Sequence, residues 1–323
     1  MKTRFDILLL AMLTVFVMTA TCVNSTYAQL GSWPTAFSAD TGFYGEVSAK
    51  FLDRPGADLG LTLVSDELTN QTLFSSDEIT DVGSAAGAEV RFGNRTRNGR
   101  QWEIRTSVVN WDNQFLIEGA NLVSPLFPGF SPDSINTDYE SKLFSIELSF
   151  RRAVYPGITL FAGPRFVSLR EDLDFSTSAV FPPPGAFELD TNNTIETRNS
   201  FFGFQVGSDL NMPVTRQMFL NGFIRVGGYS NPINFRSSAA TSFTPSADTE
   251  FSETTESFIG EVGGRVVTDI VPGVVSSYIG YEATWIDGVA LAPAQLSTVD
   301  TGQIITDNTP FFHGITFGIG FRR

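Results

Sequence analysis

His313 is the single histidine of a 323-residue chain, and it is the first residue to weigh for chemistry. A histidine oriented by a carboxylate can take the proton of a serine hydroxyl, and Asp300 and Asp307 lie just before it. No nucleophile motif accompanies the pair, so His313 reads as a polar residue where a strand begins. Glu171, Asp172 and Asp174 form a second candidate, a dense group of hard oxygen ligands suited to Ca²⁺. Their spacing is not that of an EF-hand, and solvated charge accounts for them. No zinc spacing and no P-loop occur. The reading is therefore not an enzyme, with no catalytic residue, no metal and no cofactor assigned.

A larger set of charges sits inside alternating segments. Glu46, Lys50, Glu89, Arg91, Glu103, Arg105, Glu147, Arg165, Asp209, Arg225, Glu261, Arg265 and Glu282 fall on the polar face of stretches whose other face is apolar. In a barrel they point into the lumen. Their signs nearly balance. A pore that selects ions would carry one dominant sign, whereas a closed interior needs its charges paired.

The elements that must position these residues are ten amphipathic stretches near 43–52, 85–93, 101–111, 138–150, 158–170, 198–210, 218–230, 256–269, 274–288 and 311–323. Residues 143–151 show the pattern: Phe144, Ile146, Leu148 and Phe150 on one face, Ser145, Glu147, Ser149 and Arg151 on the other. The last stretch sets Ile315, Phe317, Ile319 and Phe321 against Thr316, Gly318 and Gly320. Period-two alternation repeated this often is a strand signal. The connections alternate too. Those at 94–100, 151–157, 211–217 and 270–273 are short; those at 53–80, 112–137, 171–197, 231–255 and 289–310 are long. Short turns on one side and long loops on the other suit a transmembrane antiparallel up-and-down β-barrel, all-β, of about ten strands. A hairpin hidden in 53–80 or 112–137 would raise the count to twelve. Ten residues at a tilt of about 40° rise about 25 Å, the height of an apolar barrel belt. Trp102, Tyr278, Tyr281 and Trp285 lie where interfacial aromatics would sit. Glycine recurs in the strands, making room where neighbours crowd. Val123 to Phe130 is expected to cap the long-loop rim.

The N-terminus reads as a secretory signal over 1–28: Lys2 and Arg4, an apolar run from Ile7 to Ala20, and Thr26-Tyr27-Ala28 before the cleavage point. The apolar run is too short for a membrane helix. Cys22, the single cysteine, lacks the usual aliphatic residue of a lipidation site and leaves with the signal. Residues 29–323 form one barrel domain in this reading, with no disulfide. Net charge is −14. The five long connections hold 20 Asp and Glu against Arg54 and Arg236, while the short turns and C-terminal tip are rich in arginine. A chain this acidic argues against nucleic-acid binding.

Residues 278–295, Tyr-Ile-Gly-Tyr-Glu-Ala-Thr-Trp-Ile-Asp-Gly-Val-Ala-Leu-Ala-Pro-Ala-Gln, resemble β-barrel porin family seven. Segments 166–173, 199–207 and 313–321 agree in kind, so the likeness spans most of 158–323 and weakens in the first half. The ending Phe321-Arg322-Arg323 departs from the common aromatic finish of outer-membrane strands. The resemblance implies the outer membrane of a diderm bacterium and a pore; it brings no substrate and no catalytic residue. The expected function is passive, porin-like passage of small solutes or ions through a narrow lumen. The alternative is a structural or surface-contact barrel working through acidic loops. Outer-membrane lipid is the expected partner, and oligomeric state is unread.

Overall fold

The computed structural model describes residues 42–57, 59–96, 100–119, 122–124, 131–181, 187–296 and 303–322; the expected signal 1–28 and its cleavage point lie outside the described residues. Ten strands close into one antiparallel barrel. In chain order they are β1 (Gly42–Arg54), β4 (Gly83–Arg95), β5 (Arg100–Glu118), β7 (Ser134–Tyr155), β8 (Ile158–Phe181), β9 (Phe187–Pro213), β10 (Met218–Thr241), β11 (Thr244–Val271), β12 (Val275–Asp287) and β13 (Phe311–Arg322). Each pairs with its sequence neighbour in the barrel, and β1 pairs with β13 from Tyr44↔Arg322 to Asp53↔His313, which seals the ring. Closure leaves no open edge of unpaired backbone.

Three short strands stand apart from the ring: β2 (Thr62–Asp66), β3 (Thr72–Ser75) and β6 (Leu122–Val123) form a small sheet of their own. A hairpin does lie within 53–80, then, but it caps the barrel and adds no strand to it. Helix α1 (Ser76–Thr80) follows, opened by a capping box in which Glu78 accepts from the Ser75 amide. Leu122 packs with Phe74, Leu63 and Val64 in this cap; residues 125–130, expected to cap the rim, lie outside the described residues.

The long connections 171–197 and 231–255 are not loops. Strands β8 and β9 run 24 and 27 residues, β10 and β11 24 and 28, and most of the supposed loops is their continuation. At about 3.3 Å per residue these hairpins rise far beyond a 25 Å belt. Their walls reverse character on the way. Along β8, Leu160, Ala162, Pro164 and Phe166 face out while Gly163 and Arg165 face in. Past Val167 the faces exchange: Leu169, Leu173 and Phe175 are buried inside, and Ser168, Arg170, Asp172 and Asp174 face out. The same exchange falls near residue 143 on β7, 201 on β9, 229 on β10 and 258 on β11. One half of the barrel therefore has an apolar outside and a charged inside. The other half has a polar outside and an apolar core.

Glycine serves both faces. Gly45 lies outward beneath the Phe321 ring, and Gly163 lies inward where a Cβ would strike the Leu148 carbonyl.

Candidate functional site

All thirteen charges assigned to the lumen from alternation lie inside the ring, and eleven of them join one ion-paired network. Glu89 holds Lys50 Nζ at 2.6 Å and Arg91 Nε at 2.5 Å, and Lys50 reaches Glu282 at 2.6 Å. Glu46 takes Arg265 at 2.6 Å and Arg91 at 3.5 Å. Arg105 lies 3.8 Å from Glu89 and 3.0 Å from both Glu147 and Glu261. Glu261 also receives Arg165 at 2.6 Å and Arg225 at 3.1 Å. The other two, Glu103 and Asp209, share Arg151 nearer the short-turn end: Glu103 pairs with it at 2.7 Å and accepts from Tyr44 at 2.8 Å, and Asp209 pairs with it as well.

The decisive contact is Arg105 to Glu261. Strands β5 and β11 stand five places apart in a ring of ten, on opposite walls, and the two side chains meet at 3.0 Å. The bore is crossed by its own residues. Ten strands lie near the eight whose interior side chains simply fill. Aromatic rings complete the packing, with Arg225 over Phe223 at 4.5 Å and Arg265 over Tyr278 at 4.6 Å. Tyr278 thus faces inward and is no interfacial anchor, because it shares parity with Glu282. Trp102 and Tyr281 do face outward, whereas Trp285 is buried with its ring over Gly260.

Above this charged floor the chain returns into its own barrel. After Asp287, Gly288 turns with φ +77, and Val289, Ala290, Leu291 and Ala292 have no exposed surface at all. Helix α2 (Ala292–Gln295) follows, with Pro293 in its first turn, where its missing N–H costs nothing. Leu291 and Ala294 share one apolar cluster with Trp111, Phe201, Ile286 and Phe312. A peptide buried this deeply needs partners for its backbone, and side chains of the wall supply them. Asn199 clasps Ala290 from both sides, donating Nδ2 to its carbonyl at 2.8 Å and accepting its amide at 3.0 Å. Asn231 donates to the Gly288 carbonyl at 3.0 Å, and Glu171 accepts the Ala292 amide at 2.8 Å. Glu171 also pairs with Arg54 at 2.8 Å, both wholly buried. The connection 289–310, expected as an outer loop, is in its first half a plug.

That placement disposes of the calcium reading. Glu171 points inward while Asp172 and Asp174 point outward on the same strand, so the three do not converge, and no metal-ligand cluster occurs among the described residues. His313 faces outward at the belt's upper margin. Its Nδ1 lies 2.7 Å from the Tyr281 hydroxyl, and its Nε2 lies 3.8 Å from Asp53, which accepts from Ser84. Asp307 is exposed, and Asp300 lies outside the described residues.

The plug and the reversed wall were missed in the sequence. The signal for the first is a run of small apolar residues, 289–294, that lacks period-two alternation. For the second it is a change of parity within an unbroken alternating run.

No protein-family model matches the chain, and no curated protein matches it. Among solved structures it is similar to the outer membrane protease OmpT from Escherichia coli, at 9% identity over 88% of this chain and 98% of that one, TM-score 0.38. It is also similar to a major outer membrane protein from Thermus thermophilus, at 10% identity over 87% and 99%, TM-score 0.35. The P. putida toluene transporter TodX matches at 7% identity over 90% and 92%, TM-score 0.31. Likenesses this distant say nothing of activity.

Proposed function

We propose that the chain is an outer-membrane β-barrel, closed at rest, that works through its outer wall and raised hairpins and not as an open passage. The membrane reading is supported by a belt of exposed apolar side chains on every barrel strand, among them Phe51, Phe150, Phe202, Ile279 and Phe317. A continuous apolar surface of that extent is unfavourable in water. No helix among the described residues is long and apolar enough to cross a membrane, which says nothing of strands.

Closure rests on one observation above the others, the 3.0 Å contact of Arg105 with Glu261 across the bore. Planar-bilayer recording of the folded full chain tests it. The expected result is a flat trace at all voltages; regular conductance steps would contradict it.

A second reading, gated passage of small solutes or ions, is favoured by the plug. It is a single segment clasped chiefly by Asn199, Asn231 and Glu171, and such a segment can leave without disturbing the ring. In that reading Asn199→Ala with Asn231→Ala raises the frequency of conductance events. A trace as flat as the wild type would exclude it.

A further inference from the structure

The outward face of the reversed wall is banded in a way that closure does not require. Lys142, Arg170 and Arg198 stand directly opposite one another on β7, β8 and β9. At about 4.8 Å between strands, the three backbones span about 10 Å. Like charges set directly opposite across strands are destabilising, so this row calls for an anion. Among the described residues only Arg170 has one, pairing with Asp172 and Glu196 at 3.0 Å each. Lys142 and Arg198 are exposed, and among the described residues neither has an ion-pair partner.

The row's height identifies the anion. Lys142 is the first outward residue beyond Phe144. Arg170 and Arg198 are the second beyond Phe166 and Phe202, after Ser168 and Ser200. The cations therefore begin where the apolar belt ends, at the level of lipid headgroups. The next row up is acidic, Glu140–Asp172–Glu196. It bars an anion from sitting higher and confines it to the belt side of the cations.

We propose that Lys142, Arg170 and Arg198 form a docking surface for the phosphorylated headgroup of an outer-leaflet lipid, whose acyl chains lie against Phe144, Phe166 and Phe202. This rests on the membrane reading above. Each arginine or lysine near a charged membrane surface contributes about fivefold, so the row of three contributes roughly a hundredfold.

The test is lipid retention by the folded full chain in neutral detergent, read by native mass spectrometry after incubation with bisphosphorylated lipid A. Wild type is expected to keep the lipid through size exclusion. The triple variant Lys142→Gln, Arg170→Gln, Arg198→Gln is expected to lose it by roughly a hundredfold, and Arg236→Gln, higher on the wall, to keep it. Phosphate-free lipid is expected to be lost by wild type, and millimolar inorganic phosphate to displace nothing. Equal retention by the triple variant, or equal retention of phosphate-free lipid, overturns the proposal; displacement by inorganic phosphate overturns the lipid as source. A heat-dependent gel shift of each variant reports the folded barrel separately. Its absence in wild type would sink the membrane reading, whereas its presence with unchanged retention sinks only this site.

Discussion

Glu261 is the residue on which the floor depends. It accepts from Arg105, Arg165 and Arg225 at 2.6–3.1 Å, so Glu261→Gln removes the ion-pair partner of buried Arg165 and Arg225, and leaves Arg105 to Glu147 and Glu89, without changing the shape of the side chain. Breaking a buried pair from one side typically costs about 3–5 kcal/mol. A lowered urea midpoint of that size in vesicle-refolded protein is expected, and an unchanged midpoint would show that the floor contributes little. Asn199 plays the matching part for the plug. Asn199→Ala leaves an amide and a carbonyl of Ala290 buried without partners, at about 1–3 kcal/mol each. Hydrogen exchange over 288–296 should then accelerate while the strands stay protected; uniform protection would count against the clasp. Which charges face inward follows from alternation alone, because a strand has only two faces. Which carboxylate meets which guanidinium does not, since Arg105 and Glu261 are joined by closure of the ring and not by nearness in sequence. Glu171 shows the limit more sharply. As one of three neighbouring acids it resembled a hydrated ligand set, yet strand geometry turns it alone into the core.

Ten strands were legible because each carries several turns of clean alternation, and the short connections were legible because little lies between them. The reach of β8 to β11 was not. Leu173, Phe175, Ile233 and Phe235 continue the alternation of their strands, but on the parity opposite to the belt residues, so the segments read as polar loops. In the proposed membrane reading the physical cause is a change of solvent along one strand: apolar groups face out where lipid would lie and in against a protein core. This predicts opposite tolerance at outward positions of a single strand. Phe204→Arg, in the belt of β9, is expected to cost about 2–4 kcal/mol, while Thr194→Arg, on the same face higher up, stays within about 0.5 kcal/mol. Refolding titrations in vesicles measure both. Equal costs would deny the change of solvent. The segment 289–296 escaped for another reason. Val-Ala-Leu-Ala-Pro-Ala has no period to read, and only burial inside the ring shows that it is a plug.

At the scale of the molecule, three tiers stack along one axis: an ion-paired floor, an apolar chamber filled by the chain's own plug, and a cap made by β2, β3 and β6 with α1. The outer surface runs in parallel from apolar belt to cationic row to acidic wall. Both sequences of layers turn over at the same height, near Val167 on β8 and Phe201 on β9, as the proposed membrane reading requires of a barrel that crosses a bilayer below this height and stands in water above it. Spin labels placed one at a time at outward positions 160 to 178 of β8 test it most directly, by comparing collision with oxygen and with a polar nickel chelate in proteoliposomes. Oxygen-dominated relaxation is expected through position 166, a crossover by 170, and chelate-dominated relaxation from there on. Chelate access along the whole strand would contradict it.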